Sequence, residues 1–400
     1  MTGPLVLPAC TAVSAAGRGL AAHRDALLSR TSGLVPNDFD PGLGGWIGRV
    51  GGTEAHALPP AMAGFDCRNN RLADMALRTD GFAEAVAEAR DEYGADRIAV
   101  VLGTSTSGVT AAEDAYRCRG GDGPLPAGFD YDHTQDLFSL GSYVRAVLGL
   151  RGPALVVSTA CASSARCFMD AEQLIRTGVC DAAVVGGADS LCRMTLHGFA
   201  ALELLSPTPC RPCAADRAGI SIGEAAGFAL LERADARRRD GRTTPRLALL
   251  GAGASSDGHH MSHPHPEGVG AVGAMRQALR RAGLAPGDVD WVNLHGTGTR
   301  ANDAAEDLAV ASVFGDGVPC SSTKGWTGHT LGACGILEAV IAGECMAGGF
   351  VAGCLGIEAP DPAFRAQVAV GTLDRPVRSV VSNSFGFGGA NCSLVLGLLS

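Results

Sequence analysis

Lysine is nearly absent from this 400-residue chain. Of its 32 basic residues, 31 are arginine and one is lysine, Lys324. Acids number 41, giving a formal net charge of −9, which argues against the broad basic surface of a general nucleic-acid binder. No run of about 18 uninterrupted apolar residues occurs, so no membrane span is expected. The apolar segment from Met1 to Gly17 has no basic residue before Arg18, unlike a secretory signal. It reads as a first strand leading into a helix. Tandem cysteine spacing is also missing. The 14 cysteines read as small buried residues of a reduced, cytoplasmic protein. The one CxxC, Cys210 to Cys213, has no second pair and contains Pro212, so it reads as a loop rather than a zinc or redox motif. What the chain has in quantity is glycine, 56 residues, within a composition that is 46% hydrophobic. That excludes disorder and indicates a large, turn-rich core.

An internal repeat organises the chain. The apolar run Ala95 to Gly103 ends in Gly-Thr-Ser-Thr106, and Asp288 to Gly296 ends in Gly-Thr-Gly-Thr299. Pro153–Thr159 leads into a small-residue helix start at Cys161, as Pro319–Thr323 leads into one at Gly328. Asp181–Gly187 has its counterpart in Ser379–Phe385. Continuous apolar strands alternating with Ala-rich helices predict an α/β fold with sheets covered on both faces. Ser164–Arg176 and Leu331–Met346 read as helices buried on nearly every side, between sheets. The polar segment Arg237–Pro245 is taken as the junction, dividing the chain into halves 1–245 and 246–400. A duplicated α/β chain of this kind has five layers, and shared central helices would leave neither half stable alone.

Four segments could carry chemistry. Cys161, in Ser158-Thr-Ala-Cys-Ala-Ser-Ser164, stands where a strand turns into a helix, near free N–H groups that favour a thiolate. His295, in His-Gly-Thr-Gly-Thr299, follows a buried strand. His329 lies in Lys324-Gly-Trp-Thr-Gly-His-Thr-Leu-Gly-Ala333. Asn383-Ser-Phe-Gly-Phe387-Gly-Gly-Ala-Asn391 is a Gly-rich loop whose backbone can approach a ligand. It has no Lys-Ser/Thr ending of a P-loop. Taken singly, each segment is equally compatible with a structural role.

Together these motifs resemble the β-ketoacyl-acyl-carrier-protein synthases, the condensing enzymes of the thiolase superfamily, in the elongating Cys-His-His branch. Arg211-Pro-Cys-Ala-Ala-Asp-Arg217, Gly223-Glu-Ala-Ala-Gly227 and Asn302-Asp-Ala-Ala-Glu306 support the match. Ser322 to Thr330 and Asp257-Gly-His-His-Met-Ser-His-Pro-His-Pro266 are similar to the homologues of aryl-polyene pigment pathways. The resemblance implies the thiolase fold, in a duplicated five-layer α-β-α-β-α form. It implies that Cys161 is acylated from a thioester and then condenses with malonyl-carrier protein after decarboxylation. In that reading His295 and His329 hold the enolate oxygen, and the N–H groups of Cys161 and Phe387 form the oxyanion hole. Lys324 and Glu338 are carried over as charged support behind the histidines, and Glu306 as a structural acid there. Thr297, Thr299 and Phe385 fall beside the substrate, although the two threonines could equally pack a tight turn. No metal or other cofactor is implied, because phosphopantetheine arrives on the acyl carrier protein. The protein is expected to pair as a homodimer, or as a heterodimer with a related synthase-like subunit.

The chain departs from the family pattern at Cys213-Ala214, where Phe-Asp is usual, and at Ala225, where Gly is usual. Thr106 falls where the family often has a bulky apolar residue lining the acyl pocket at the dimer interface, so it is expected to admit a longer or stiffer chain. Net charge alone would repel an acidic carrier, so a local basic patch is needed; Arg68 and Arg71 are candidates by family position, although solvated helix charges are the commoner reading of either one. His259, His260, His263 and His265 invite a zinc assignment, but the spacing around Pro264 builds no tetrahedral set, and a loop rimming the site mouth is expected instead. Three functions compete: an elongating synthase, a chain-length-factor-like partner lacking the nucleophile, and a thiolase or initiating synthase. The presence of Cys161, His295 and His329 disfavours the second. The position of Cys392 beyond the Gly-rich run does not fit the thiolase pattern.

Overall fold

The computed structural model describes residues 3–234 and 246–399, so the connector at Arg237–Pro245 lies outside the described residues. Ten strands carry the architecture. Five come from the first part of the chain: β1 (Leu5–Ser14), β2 (Ile98–Gly103), β3 (Ala154–Val157), β4 (Ala182–Asp189) and β5 (Ala225–Arg233). Five follow: β6 (Arg246–Ser256), β7 (Trp291–Asn293), β8 (Pro319–Ser321), β9 (Ser379–Gly386) and β10 (Ala390–Leu399). Their spatial order is β3-β2-β4-β5-β1 in one half-sheet and β8-β7-β9-β10-β6 in the other, with β1 and β6 meeting at the centre. Within each set the first three strands run parallel and the remaining pairings are antiparallel. The repeat read from sequence is therefore a repeat of topology, with β2, β3 and β4 matching β7, β8 and β9. A short antiparallel contact, Leu5 with Leu249 and Val6 with Ala248, joins the two half-sheets.

Side-chain alternation along the strands builds the layers. In β2 and β4, Ala99, Val101, Ala183 and Val185 face a central core, while Ile98, Val100, Ala182 and Val184 face an outer one. In β9 and β10, Val380, Leu394 and Leu396 face the same central core, and Val381 and Val395 face a third cluster. Helices α1 (Leu20–Ser29), α2 (Arg68–Leu77), α3 (Phe82–Tyr93) and α4 (Ser139–Val147) come first in the chain. The last three of these cover the outer face of the first half-sheet through Leu72, Phe82 and Val144. The central layer is α5 (Ser163–Arg176) and α8 (Cys334–Gly348). Helices α6 (Val269–Ala282) and α7 (Arg300–Phe314) cover the second half-sheet through Met275 and Val310. The result is the five-layer α-β-α-β-α thiolase fold.

Helix α8 is buried along most of its length, and Gly335 lets it meet α5 closely. A Cβ there would lie 2.6 Å from the Ala165 nitrogen. The stretch Leu331–Gly348 is long and apolar enough to cross a membrane by composition, but 89% of it is buried in the core. Helix α5 differs from expectation. It buries Cys167, Phe168, Ala171 and Ile175 but leaves Arg166, Asp170, Glu172 and Gln173 at least partly open, so it is amphipathic rather than buried all round. All fourteen cysteines are free, and all but Cys10 and Cys118 are buried. Cys210 bonds the Lys324 carbonyl while Cys213 faces Cys354, so the CxxC thiols serve different neighbours.

Candidate active site

Cys161 stands at the turn between β3 and α5. Ala160 adopts a positive φ of 49°, and Cys161 follows it, 5% exposed. Ser163 Oγ braces the turn, accepting from Thr159 N at 2.9 Å and donating to Ala160 O at 2.6 Å. The Gly-rich loop after β9 closes on this turn. A Cβ on Gly386 would fall 2.8 Å from Thr159 O and 3.1 Å from Cys161 N, so only glycine allows the approach. That approach aims the Phe387 N–H at the Cys161 sulfur. Phe387 itself stacks on Phe199 with centroids 5.4 Å apart.

His295 follows β7, and His329 lies in the turn before α8. Both are about 98–99% buried, and their rings meet edge to face with centroids 5.1 Å apart. His329 Nε2 is 3.0 Å from Cys161 Sγ. Burial, reinforced by the nearby Lys324 charge, holds both imidazoles well below their ordinary pKa, so both are neutral at pH 7. Nδ1 of each ring is buried without a hydrogen-bond partner among the described residues. The protein therefore locks neither tautomer, and each ring can present an N–H to a substrate. The sulfur and one nitrogen from each ring all lie within 4.8 Å of one another. Such donors could also take up a thiophilic cation.

The thiolate expected from helix position is not what burial produces. Desolvation pushes the Cys161 thiol up to about 11, outweighing Lys324 and the Phe387 N–H, which pull it down. The resting site is a neutral thiol beside a neutral imidazole. Alkylation of Cys161 by iodoacetamide should therefore accelerate about tenfold per pH unit from pH 7 to 10, since the thiolate fraction grows that way below the pKa. A plateau near pH 8.5, measured by peptide mass, would show an unperturbed thiol.

Lys324 is 1% exposed, and its Nζ lies 2.5 Å from Glu338 Oε1. Burial would lower the Lys324 pKa, but the Glu338 charge and hydrogen bond prevail and keep it above the ordinary value. Burial also raises Glu338, against the pull of Lys324, to about 7. A surface lysine is excluded. Glu306 is more than a helix charge. It accepts the backbone N–H groups of His295 (2.8 Å) and Gly296 (2.7 Å) and the Asn383 amide (3.2 Å), while burial raises it to about 7. Glu306→Ala should leave these buried donors unpaired at about 1–3 kcal/mol each. A lowered Tm together with a lowered kcat, and a milder Glu306→Gln, is the expected outcome.

A cavity of about 320 Å³ leads down to Cys161, His295 and His329. Thr297, Thr299, Phe385 and Phe387 line it. The two threonine hydroxyls bond each other at 2.9 Å, and Thr299 caps α7, so both residues pack the turn and face the cavity. Thr106 does not line it. Its hydroxyl donates to the buried Asp189 at 2.8 Å, and Asp189 also accepts Thr104 Oγ1 and the N–H groups of Ser105, Thr106 and Gly332. Thr106 is therefore tied to the buried Asp189 carboxylate by both its hydroxyl and its N–H. Cys392 is buried on β10 and is not among the lining residues.

The carrier contacts expected at Arg68 and Arg71 are also corrected. Arg68 forks onto buried Glu224 at 2.6 and 2.7 Å, and Glu224 further accepts the N–H groups of Val50 and Leu191. Arg71 is chelated by Asp66. Neither presents a free charge. Sequence reasoning passed over Asp303, which accepts the N–H groups of Cys213, Thr297 and Gly298 and lies beside buried Arg217. Its signal was available: Asp303 and Glu306 are spaced i, i+3 on one helix immediately after the His-Gly-Thr-Gly-Thr turn.

The beta-ketoacyl synthase N-terminal domain matches residues 50–237, and the C-terminal domain matches residues 247–358. The chain belongs to the β-ketoacyl synthase family. Within it, the 3-oxoacyl-[acyl-carrier-protein] synthase 2 of Rhizobium meliloti is 34% identical over 81% of this chain and 78% of its own length. The mitochondrial 3-oxoacyl-[acyl-carrier-protein] synthase of Arabidopsis thaliana is 38% identical over 63% of this chain, a stretch that spans 58% of that relative. Among solved structures, a chain of the ketosynthase ApeO–chain length factor ApeC complex from Xenorhabdus doucetiae is 38% identical, with a TM-score of 0.88 over 99% of this chain and 98% of that one.

Proposed function

We propose that this protein is a 3-oxoacyl-[acyl-carrier-protein] synthase that performs a decarboxylative Claisen condensation. The observation that carries the reading is the 3.0 Å contact between Cys161 Sγ and His329 Nε2 at the floor of the cavity. In the first step Cys161 attacks an acyl thioester delivered on a carrier. The S–H proton passes to His329 Nε2 and on to the departing pantetheine sulfur, so the products are the acyl-enzyme and a free carrier thiol. In the second step malonyl-carrier protein loses CO2. The neutral rings of His295 and His329 donate N–H bonds to the enolate oxygen, and the enolate carbon attacks the acyl carbonyl. The N–H groups of Cys161 and Phe387 hold the oxyanion, which collapses to a 3-ketoacyl product and expels the Cys161 thiolate, and one proton from solvent restores the neutral thiol. Burial keeps both histidines neutral, and the Lys324 charge, paired with Glu338, reinforces it. Thr297 and Thr299 flank the arm. No group beyond the pantetheine brought by the carrier takes part.

An acyl carrier protein is the partner of this cycle, acting in fatty-acid, polyketide or aryl-polyene biosynthesis in the cytoplasm; the likeness to the ApeO–ApeC complex favours the last pathway. A related subunit, identical or not, completes the assembly. Strand β3 is a sheet edge, paired only with β2 among the described residues, and it exposes Leu155 at 43%. An unblocked apolar edge of this kind suits strand pairing across an interface. The partner-subunit function itself is disfavoured, because such proteins lack the nucleophile. Incubation with ¹³C-malonyl-carrier protein and a panel of acyl carriers should give 3-ketoacyl carriers and one CO2 per condensation. Failure to form either product or acyl-enzyme with every member would return the reading to a non-catalytic partner.

A further inference from the structure

The loop between β6 and α6 gathers four histidines at the mouth of the cavity. Of these, His263 lines that cavity together with Ser262, whereas His260 is exposed and not among the lining residues. The loop is tied down rather than loose. His265 N–H and the Asn391 amide both bond Asp257, and Asp257 N–H donates to Gly389 O. Gly388 N–H donates to Met261 O at 2.7 Å, which couples the histidine loop to the Gly-rich loop beside Cys161.

Within this frame, His260 Nδ1 and His263 Nδ1 lie 3.1 Å apart. Ser262 Oγ is 3.1 Å from His263 Nδ1 and 3.4 Å from His260 Nδ1. The Ser262 N–H points at His260 Nδ1 from 3.1 Å, so that nitrogen is unprotonated, and an ion bound to it would replace this hydrogen bond. Three donor atoms therefore form a small triangle at the rim. An ion about 2.0–2.1 Å from both nitrogens would see them at roughly 100°, between the angles of octahedral and tetrahedral ligation. Imidazole pairs suit zinc, copper and nickel more than magnesium or calcium. Neighbouring His259 and His265, with ring centroids 5.0 Å apart, add further imidazoles at the same rim.

We propose that His260 and His263, with Ser262, bind a divalent late first-row metal ion at the mouth of the cavity, and that the bound ion excludes the pantetheine arm. The binding stands on the loop geometry alone, whereas the exclusion rests on the condensing-enzyme reading above. The sequence spacing had disfavoured zinc because it supplies no tetrahedral protein set. The structure supplies two nitrogens and an oxygen, and water completes the shell.

The catalytic sulfur and its histidines are the competing cation site, so the test removes the sulfur first. Cys161→Ala protein is titrated with Co²⁺ alone and followed by absorbance, then back-titrated with Zn²⁺. Expected are visible ligand-field bands, no near-ultraviolet thiolate charge-transfer band, and displacement by one equivalent of Zn²⁺. Adding His260→Ala or His263→Gln to that background should weaken Co²⁺ binding at least tenfold. Unchanged Co²⁺ affinity in both double variants would overturn the site, as would binding that appears only when Cys161 is present. In the unmodified protein, Zn²⁺ should inhibit competitively with malonyl-carrier protein, and His260→Ala should raise the half-inhibiting Zn²⁺ concentration at least tenfold. If Co²⁺ binding follows the histidines while no carrier is ever condensed, the metal site stands and the condensing function falls.

Discussion

Cys161→Ala protein will take up no acyl group from any acyl carrier, and its condensation rate will fall by about 10³-fold or more, because the bond that holds the acyl chain between the two half-reactions cannot form. The loss is chemical, not structural. Cys161 is a small residue at the floor of a cavity, and the turn that positions it is braced by Ser163, Ala160 and Gly386 rather than by its sulfur. The variant should melt within about 1 kcal/mol of the parent, as expected for loss of a single sulfur at the cavity floor. Intact mass after exposure to acyl carriers is the direct measurement: an adduct on the parent and none on the variant. An adduct that persists on the variant would move the nucleophile elsewhere among the thirteen other cysteines.

Lys324→Met should be the most destabilising single change in the site. Removing one member of a buried ion pair leaves the other without its counter-charge, at a cost of about 3–5 kcal/mol. Glu338 would then have no hydrogen-bond partner for either oxygen among the described residues, since Oε2 already has none. Pairing the change with Glu338→Leu should recover most of the stability in denaturant melts but none of the condensation. Recovery of both would reduce the pair to packing. Lys324→Arg tests shape instead of charge. A guanidinium in a space that is 1% exposed and flanked by buried Gly325 and Trp326 is overpacked, by about 1–3 kcal/mol. Displacement of His329 by even about 1 Å would lower kcat by roughly 10²-fold. Wild-type turnover by this variant would make the choice of lysine over arginine accidental.

Much of the architecture was legible in the linear chain because fully covered strands leave continuous apolar runs. The matches of Ala95–Thr106 with Asp288–Thr299 and of Asp181–Gly187 with Ser379–Phe385 correspond to β2 with β7 and β4 with β9. Cys161, His295 and His329 stood out because they interrupt turns of Gly, Thr and Ser, where packing does not call for them. The charged support was harder to see. Asp189, Glu224 and Asp303 are defined by the backbone N–H groups they accept, and most of those come from segments 33 to 174 residues away, only Thr297 and Gly298 being local. Arg68 looked like a surface charge because helix periodicity cannot reveal that Glu224 waits just before β5. The Cys161 thiol was misjudged for a related reason. The helix start and Phe387 N–H favour a thiolate, but the depth of burial, which no local pattern records, outweighs them.

Having a single lysine, and having it buried, makes the chain its own reporter of integrity. Amine-directed acylating reagents meet no accessible lysine side chain in the folded protein, because the only ε-amino group is 1% exposed and engaged by Glu338. Labelling of Lys324 by an N-hydroxysuccinimide ester therefore requires the central layer to open, and its rate reads that opening in an otherwise unmodified molecule. For the same reason, enzymatic acetylation or isopeptide tagging of a lysine on this chain is confined to unfolded copies.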